Sequence, residues 1–391
     1  MDVLVLAPHP YYIDRGTPID LDLLLRVLCS RPDTRVDLVV YPDGEAREYP
    51  GLRIHRVPST PLTRGTRPGF SARKLICDAF LLAAALRLAA RHRYDVVHAG
   101  EEAVFVARAL QWLFGIPYVY DLDSSIASQL VESRPFLRPL APLFRRLEAR
   151  AIRGALATAP VCNALADLCR ERGARKVVTL HDISQLENPD ASPSGRLARE
   201  TGRARRFLLY AGNLEPYQGI DLLVEAFAIA ARRTEALDLA VIGGDPEDIE
   251  RYRRRCAALG VGDRVHFLGP RPVSLLGEYL ADAEILVAPR IRGVNTPMKI
   301  FPYLHSGRPV LLTELPTHTQ VVDGSVAMLA APEPVAFAEA IVRLAEDEEL
   351  RRRLGRAGRA FVEAEHTFPA HARRVNELYD FVAAELAARA A

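Results

Sequence analysis

Short β-branched and leucine-rich runs alternate along the chain with longer stretches whose apolar residues recur at helical spacing. In the first half the runs are DVLVLAP, VDLVVYP, YDVVHA and PYVYDL, with helical patterns over 20–29 and about 70–93 between them. This alternation predicts a parallel sheet covered by helices on both faces. Two more strand-like segments, ATAPV and VVTLHD, follow. The stretch 187–206, ENPDASPSGRLARETGRARR, then loses periodicity and fills with Pro, Ser, Gly and charge. That composition predicts a linker after a domain at 1–186.

The alternation restarts at Phe207 with FLLYAGN, IDLLVEAFAIAARR, LDLAVIGG, a helix over 248–259, VHFLG, ILVAP, a helix from near Pro297, and PVLLT. A second doubly wound domain is expected over 207–369. The tail, 370–391, reads as a helix free to pack back on the first domain. Ligands of open α/β sheets bind beyond the carboxyl ends of the strands, so two such domains are expected to face each other across a cleft lined by loops from both.

Composition narrows the reading only a little. The 391 residues are 49% hydrophobic and 26% charged, the usage of an ordinary globular protein. The 51 basic and 49 acidic side chains nearly cancel, which argues against a general nucleic-acid binder. Five scattered cysteines show no metal-ligand spacing and read as reduced core residues, so no metal site is expected. MDVLVLAPHP reads as a first strand rather than a secretory leader, and FLLAAALRLAA, broken by Arg87, is too short to span a bilayer. A cytoplasmic protein is expected. Residues 51–100 hold nine Arg or Lys against Asp78 and Asp95, a surface suited to peripheral contact with the inner membrane face or an acidic acceptor. A solvated basic face over a helix packed on the sheet accounts for the same residues more simply.

Chemistry concentrates in PRIRGVNTPMKIFPYLHSGRPVLLT, 289–313. Asn295 or Thr296 suits an N-cap and Pro297 a first helical turn, so the loop after ILVAP is expected to open a helix whose free N–H groups form an anion site. Arg290, Arg292 and Lys299 add positive charge there, and no Asp or Glu occurs between Glu284 and Glu314. In YAGNLEPYQGIDLLVEAF, Gly212 ends a strand while Asn213 and Gln218 offer uncharged donors; a plain strand-to-helix turn would read the same way.

These segments, in this order, resemble the family 4 retaining glycosyltransferases of the GT-B fold. The likeness is strongest from Phe207 to Val322 and extends to Gly16-Thr17 and the DVVHAGEE block. It implies two Rossmann-like domains, a nucleoside diphosphate sugar held mainly by the second, an acceptor held mainly by the first, and hexosyl transfer with retention, with no metal and no cofactor beyond the donor substrate. The acceptor is left open between a glycan, a lipid-linked molecule and a small molecule. The family's Arg and Lys in the GNLEPYQG loop are replaced by Asn213 and Gln218, and its paired glutamates are absent from GVNTPMKIFP, where Pro302 occupies the second position. We therefore expect Lys299, with Arg290 or Arg292 and the amides from Thr296 to Ile300, to meet the charge of the departing diphosphate.

The resemblance extends donor binding to Gly16, Thr17, Gly212, Asn213, Gln218, Gly243, Gly244, Pro270, Arg271, Asn295, Pro297 and Met298. His98 and Glu101 are the catalytic candidates of the first half, and Glu102, Asp121 and Asp123 the acceptor candidates. Asp123 and Ser124 equally suit helix caps, and His98 a core edge. A nucleotide-sugar-binding protein without turnover and a GT-B sugar-nucleotide epimerase are the rival functions.

Overall fold

The computed structural model describes residues 1–13, 16–66, 71–235 and 237–390, apart from the side chains of Glu132, Ser133, Pro135 and Ala390. The chain divides into two compact units: Met1–Asp182 with Phe368–Ala391, and Ile183–Thr367.

The first unit runs β1 (Asp2–Leu6), α1 (Gly16–Leu28), β2 (Arg35–Val40), β3 (Leu52–Arg56), α2 (Ala72–Arg91), β4 (Val96–Gly100), α3 (Val104–Phe114), β5 (Tyr118–Leu122), α4 (Ile126–Ser133), α5 (Ala141–Gly154), β6 (Ala157–Pro160) and α6 (Asn163–Glu171). Its parallel sheet has the order β3-β2-β1-β4-β5-β6. Val3 and Val5 face one core layer and Leu4 and Leu6 the other, which is why β1 carries no polar alternation. The C-terminal helix, Phe368–Ala390, inserts Val375, Leu378, Tyr379 and Val382 into the layer that α1 covers. The expected start of α2 at Phe70 lies outside the described residues; its cap is Ser71, whose side chain accepts from the Lys74 amide.

The second unit runs α7 (Arg196–Thr201), β7 (Arg206–Ala211), α8 (Ile220–Ala230), β8 (Leu237–Ile242), α9 (Pro246–Ala258), β9 (Val265–Gly269), α10 (Leu276–Asp282), β10 (Ile285–Ala288), α11 (Ile300–His305), β11 (Val310–Thr313), α12 (Pro316–Thr319), β12 (Met328–Ala330), α13 (Pro334–Glu346) and α14 (Glu348–Glu365). Its order, β12-β11-β10-β7-β8-β9, repeats the winding of the first sheet. The stretch 187–206 is not a bare linker: it lies inside this unit and holds α7, tied down by Asp282, whose carboxylate accepts the amides of Ser194, Gly195 and Leu197.

Each sheet reverses its winding between two central strands, β1 and β4 in one and β7 and β10 in the other. Loops that leave these strands part there, which is where an open α/β sheet forms a binding crevice.

Candidate functional site

At the switch point of the second unit, β7 delivers Gly212 and the loop after β10 delivers Lys299. Gly212 has φ +153°, and a Cβ on it would collide with Lys299 Nζ, so glycine here makes room for the ammonium. Lys299 Nζ lies 3.0 Å from the Tyr210 hydroxyl and 4.1 Å from the centre of its ring. Burial, and then the charge of Arg290, lower the Lys299 pKa to about 7. Arg290 lies over the Tyr217 ring at 5.2 Å, and burial lowers its pKa as well. Among the described residues neither cation forms an ion pair. Two neighbouring, desolvated and unneutralised cations are an arrangement that an anion relieves.

The loop around them is pinned by long-range bonds. The Thr317 hydroxyl donates to Asn295 O at 2.6 Å, Gln320 Nε2 to Val294 O at 2.7 Å, and the Thr313 hydroxyl to Arg290 O at 2.5 Å. These bonds correct the expected helix start. Residues held out by α12 cannot wind into a first turn, so α11 begins at Ile300 with Lys299 at its cap, rather than at Asn295 or Thr296. Its first amides are also occupied: Ile300 N donates to Pro297 O at 3.1 Å and Phe301 N to Met298 O at 3.2 Å. The anion site expected from helix amides thus loses its Ile300 contribution and rests on side chains. Thr296 is 6% exposed, and its hydroxyl has no partner among the described residues.

The other residues expected at the donor are spread more widely. Asn213 is exposed, and its carbonyl accepts the Tyr210 hydroxyl at 2.6 Å. Gln218 is buried in a single turn beneath Gly219. Gly243 packs its Cα against the Gly212 carbonyl, and Gly244 lies on Leu214. Arg292 is exposed, and its carbonyl accepts Arg290 Nε at 2.7 Å. Pro270 is exposed, and Arg271 donates to Glu200 at 2.9 and 3.0 Å and to Tyr279 at 3.2 Å, so its fork is already engaged. Sequence reading missed His318, a buried imidazole beside the Thr313 carbonyl at 2.9 Å, lowered by burial to about 4 and therefore neutral.

The switch point of the first unit has the opposite sign. Gly16 and Thr17 open α1, four residues earlier than the periodicity implied, and Thr17 bonds Asp123. Asp121, Asp123 and Asp182 act on Asp20 there, and Asp121, Asp182 and Glu101 act on Asp123. Burial, then the charge of Asp182, raises Asp20; burial, then Asp121, raises Asp123. Burial, then Glu102, raises Glu101 to about 7, while its carboxylate accepts the Ser124 hydroxyl at 2.8 and 3.1 Å. Glu102 pairs with Lys74 at 2.6 Å.

Two expectations are corrected at this rim. The cap of α4 is Ser125, not Asp123 or Ser124. His98, a catalytic candidate that equally suited a core edge, lies in the core: it is 1% exposed, with Nε2 3.1 Å from Asp121 and Nδ1 3.0 Å from the Tyr379 hydroxyl. With Nε2–H donating to the carboxylate, Nδ1 accepts from Tyr379, so His98 positions Asp121 instead of meeting a substrate. Asp20, Asp182 and Tyr379 were not legible as site residues. No group of three or more potential ligands that could hold a metal occurs among the described residues.

Comparison with known proteins adds a second line of observation. Residues 205–347 match the family model described as glycosyl transferases group 1, and residues 23–183 the glycosyl transferase 4-like domain. An alpha-D-kanosaminyltransferase of Streptomyces kanamyceticus is 23% identical over 263 residues, covering 64% of this chain and 67% of the relative. A D-inositol 3-phosphate glycosyltransferase of Corynebacterium glutamicum is 31% identical over 202 residues, with 46% of this chain aligned to about half of the relative, 47%. Among solved structures, sucrose-phosphate synthase from Thermosynechococcus elongatus superposes with a TM-score of 0.78 at 21% identity, covering 98% and 99% of the two chains. Anabaena HepE in complex with UDP gives 0.75 at 17% identity, covering 97% and 100%. At these identities the structural likeness speaks for the fold.

Proposed function

This chain belongs to the GT-B glycosyltransferases, and from that premise we propose that it transfers a hexosyl group from a nucleoside diphosphate sugar to an acceptor hydroxyl, with retention of anomeric configuration. The observation that carries the reading is the neighbouring pair Lys299, beside Gly212, and Arg290, half-buried and without an ion pair among the described residues. A pyrophosphate supplies the missing charge, and the HepE structure, solved with UDP, supports that class of ligand.

In this reading the second unit holds the donor. As the bond from the anomeric carbon to the diphosphate oxygen breaks, negative charge grows on that oxygen, and the two cations stabilise it in place of a metal. The acceptor oxygen bonds to the same face of the sugar, and its proton passes to the departing phosphate. No protein nucleophile is needed. In the first unit Glu101, Glu102, Asp121 and Asp123 hold acceptor or sugar hydroxyls, with His98 fixing Asp121. A carboxyl that keeps its proton near neutrality, as Glu101 does, can donate as well as accept.

The test is a thermal-shift panel of UDP-, GDP-, ADP- and TDP-sugars, in which a donor at 100 times its dissociation constant stabilises by about 2.7 kcal/mol. Product analysis by NMR follows with the donor that binds. An α product from an α donor supports the proposal, and an inverted one overturns retention. Binding with neither transfer nor hydrolysis turns the reading to a non-catalytic binder. Donor converted to another sugar with no acceptor present turns it to an epimerase.

A further inference from the structure

The first unit leaves most of its exposed large apolar side chains on one set of neighbouring helices. Leu75 is 66% exposed on α2, Trp112 84% on α3, Phe136 72% in the turn before α5, and Leu143 50% on α5. Between α2, α3, α4 and α5 lies a cavity of about 460 Å³, within the usual range for small-ligand sites of roughly 300–1,000 Å³. Its wall is almost wholly hydrocarbon, formed by Leu81, Leu82, Phe105, Leu130, Phe144 and Leu147.

The charge around this chamber is one-sided. Helices α2 and α5 carry Arg73, Lys74, Arg87 and Arg91, and Arg145, Arg146, Arg150 and Arg153, against the acids Asp78 and Glu148. Both acids are spent internally. Asp78 accepts the Tyr41 hydroxyl at 2.5 Å, while Glu148, 1% exposed, accepts Ser125 and pairs with Arg172 at 3.0 Å. Lys74 is spent on Glu102, which leaves seven exposed arginines beside the apolar side chains, the combination that lies on anionic lipid. Glu102 is one of the residues lining the chamber, and its neighbour Glu101 belongs to the acidic rim.

We propose that the acceptor is an amphiphile with a hydrocarbon chain and an anionic head, the chain seated in the chamber between α2, α3, α4 and α5 and the head against the cations of α2 and α5. The chamber is half-open and apolar; a protein partner would cover the surrounding face, whereas an alkyl chain also enters and fills the chamber. Lying beside Glu102, the chamber brings the hydroxyl-bearing end of such a molecule toward the rim that the glycosyltransferase reading assigns to the acceptor. For the word acceptor the inference rests on that reading. The lipid site itself does not.

The experiment titrates the full chain with hexyl, octyl and decyl phosphate, with the matching alcohols, and with vesicles of phosphatidylcholine alone or mixed with phosphatidylglycerol. Burying the chain tightens binding by about fourfold per added methylene. The phosphates bind more tightly than the alcohols, and sedimentation occurs only with the anionic vesicles. Ala79→Trp, which fills the chamber, removes the chain-length dependence. Leu75→Asp with Leu82→Asp does so from exposed or rim positions where folding is not at risk. Donor thermal shift is read on the same samples. A donor shift with affinities indifferent to chain length overturns the lipid site, as does self-association through this face measured by light scattering. Chain-dependent binding without any donor shift overturns the donor reading and leaves the lipid site standing.

Discussion

The two units repeat one winding order and differ in the sign of the chemistry at its switch point. The second places cations, Lys299 and Arg290, among tyrosines, with no ion pair to an acid among the described residues. The first places Asp20, Asp121, Asp182 and Glu101 within reach of Asp123. Both arrangements work against folding, because like charges are drawn together and partly desolvated. One is relieved by an anion and the other by protons, so a single scaffold serves opposite partners through the residues its loops carry.

The contrast can be tested most severely by removing the cation. Lys299→Met is expected to lower kcat by on the order of 10²–10³, measured as transfer or donor hydrolysis, while its ligand-free melting temperature at pH 7 rises. The sign follows from linkage. Lys299 has a folded value of about 7 against 10.5 unfolded, so the unfolded chain binds more protons across that interval and stability rises with pH through it. Below pH 7 the full burden of the buried charge is present, and methionine removes it. A variant that loses both activity and stability would make Lys299 structural.

Next in size is the pH dependence of donor binding. A diphosphate beside Lys299 raises its pKa, so the complex takes up a proton above pH 7, and affinity falls by up to about tenfold per pH unit from there. Below pH 7 it is flat with respect to this group. Calorimetry in buffers of different ionisation enthalpy reads the proton directly, and proton release on binding would contradict the arrangement.

The acidic rim predicts a smaller effect of opposite slope. Asp20 and Asp182 are hydrogen-bonded and raised in the fold, so the folded chain holds more protons above the ordinary value of 3.8, and stability falls as pH rises through that window. Asp182→Asn is expected to raise the melting temperature by on the order of a few degrees at pH 8 and to leave it unchanged at pH 4. Smallest is Arg271→Ala. Its fork is held by Glu200 and Tyr279, so donor affinity should hardly change and stability should fall by about 0.5 kcal/mol, read by urea unfolding.

The basic site was legible because it is local: Arg290, Arg292 and Lys299 sit in a stretch of sequence without acids. The strands were legible for the same reason, each being a short, mainly β-branched or leucine-rich run set between helical stretches. Where α11 begins was not, because Thr317 and Gln320 hold the preceding loop from more than twenty residues away. Nor was the acidic rim in full. Asp20, Asp123 and Asp182 belong to three separate parts of the chain, and Tyr379 reaches His98 across 281 positions. A solitary tyrosine on a helix carries no sign of such a partner.

That last distance has a consequence for synthesis. The chain leaves the first unit at Asp182 and returns to it at Phe368. A nascent protein emerging from the ribosome therefore makes all of the second unit before the side chains that complete the first one exist. Until Val375, Leu378, Tyr379 and Val382 arrive, the layer over α1 stays open and His98 lacks its hydroxyl. The second unit is whole first, and the amino-terminal half, though translated earlier, is the last to close.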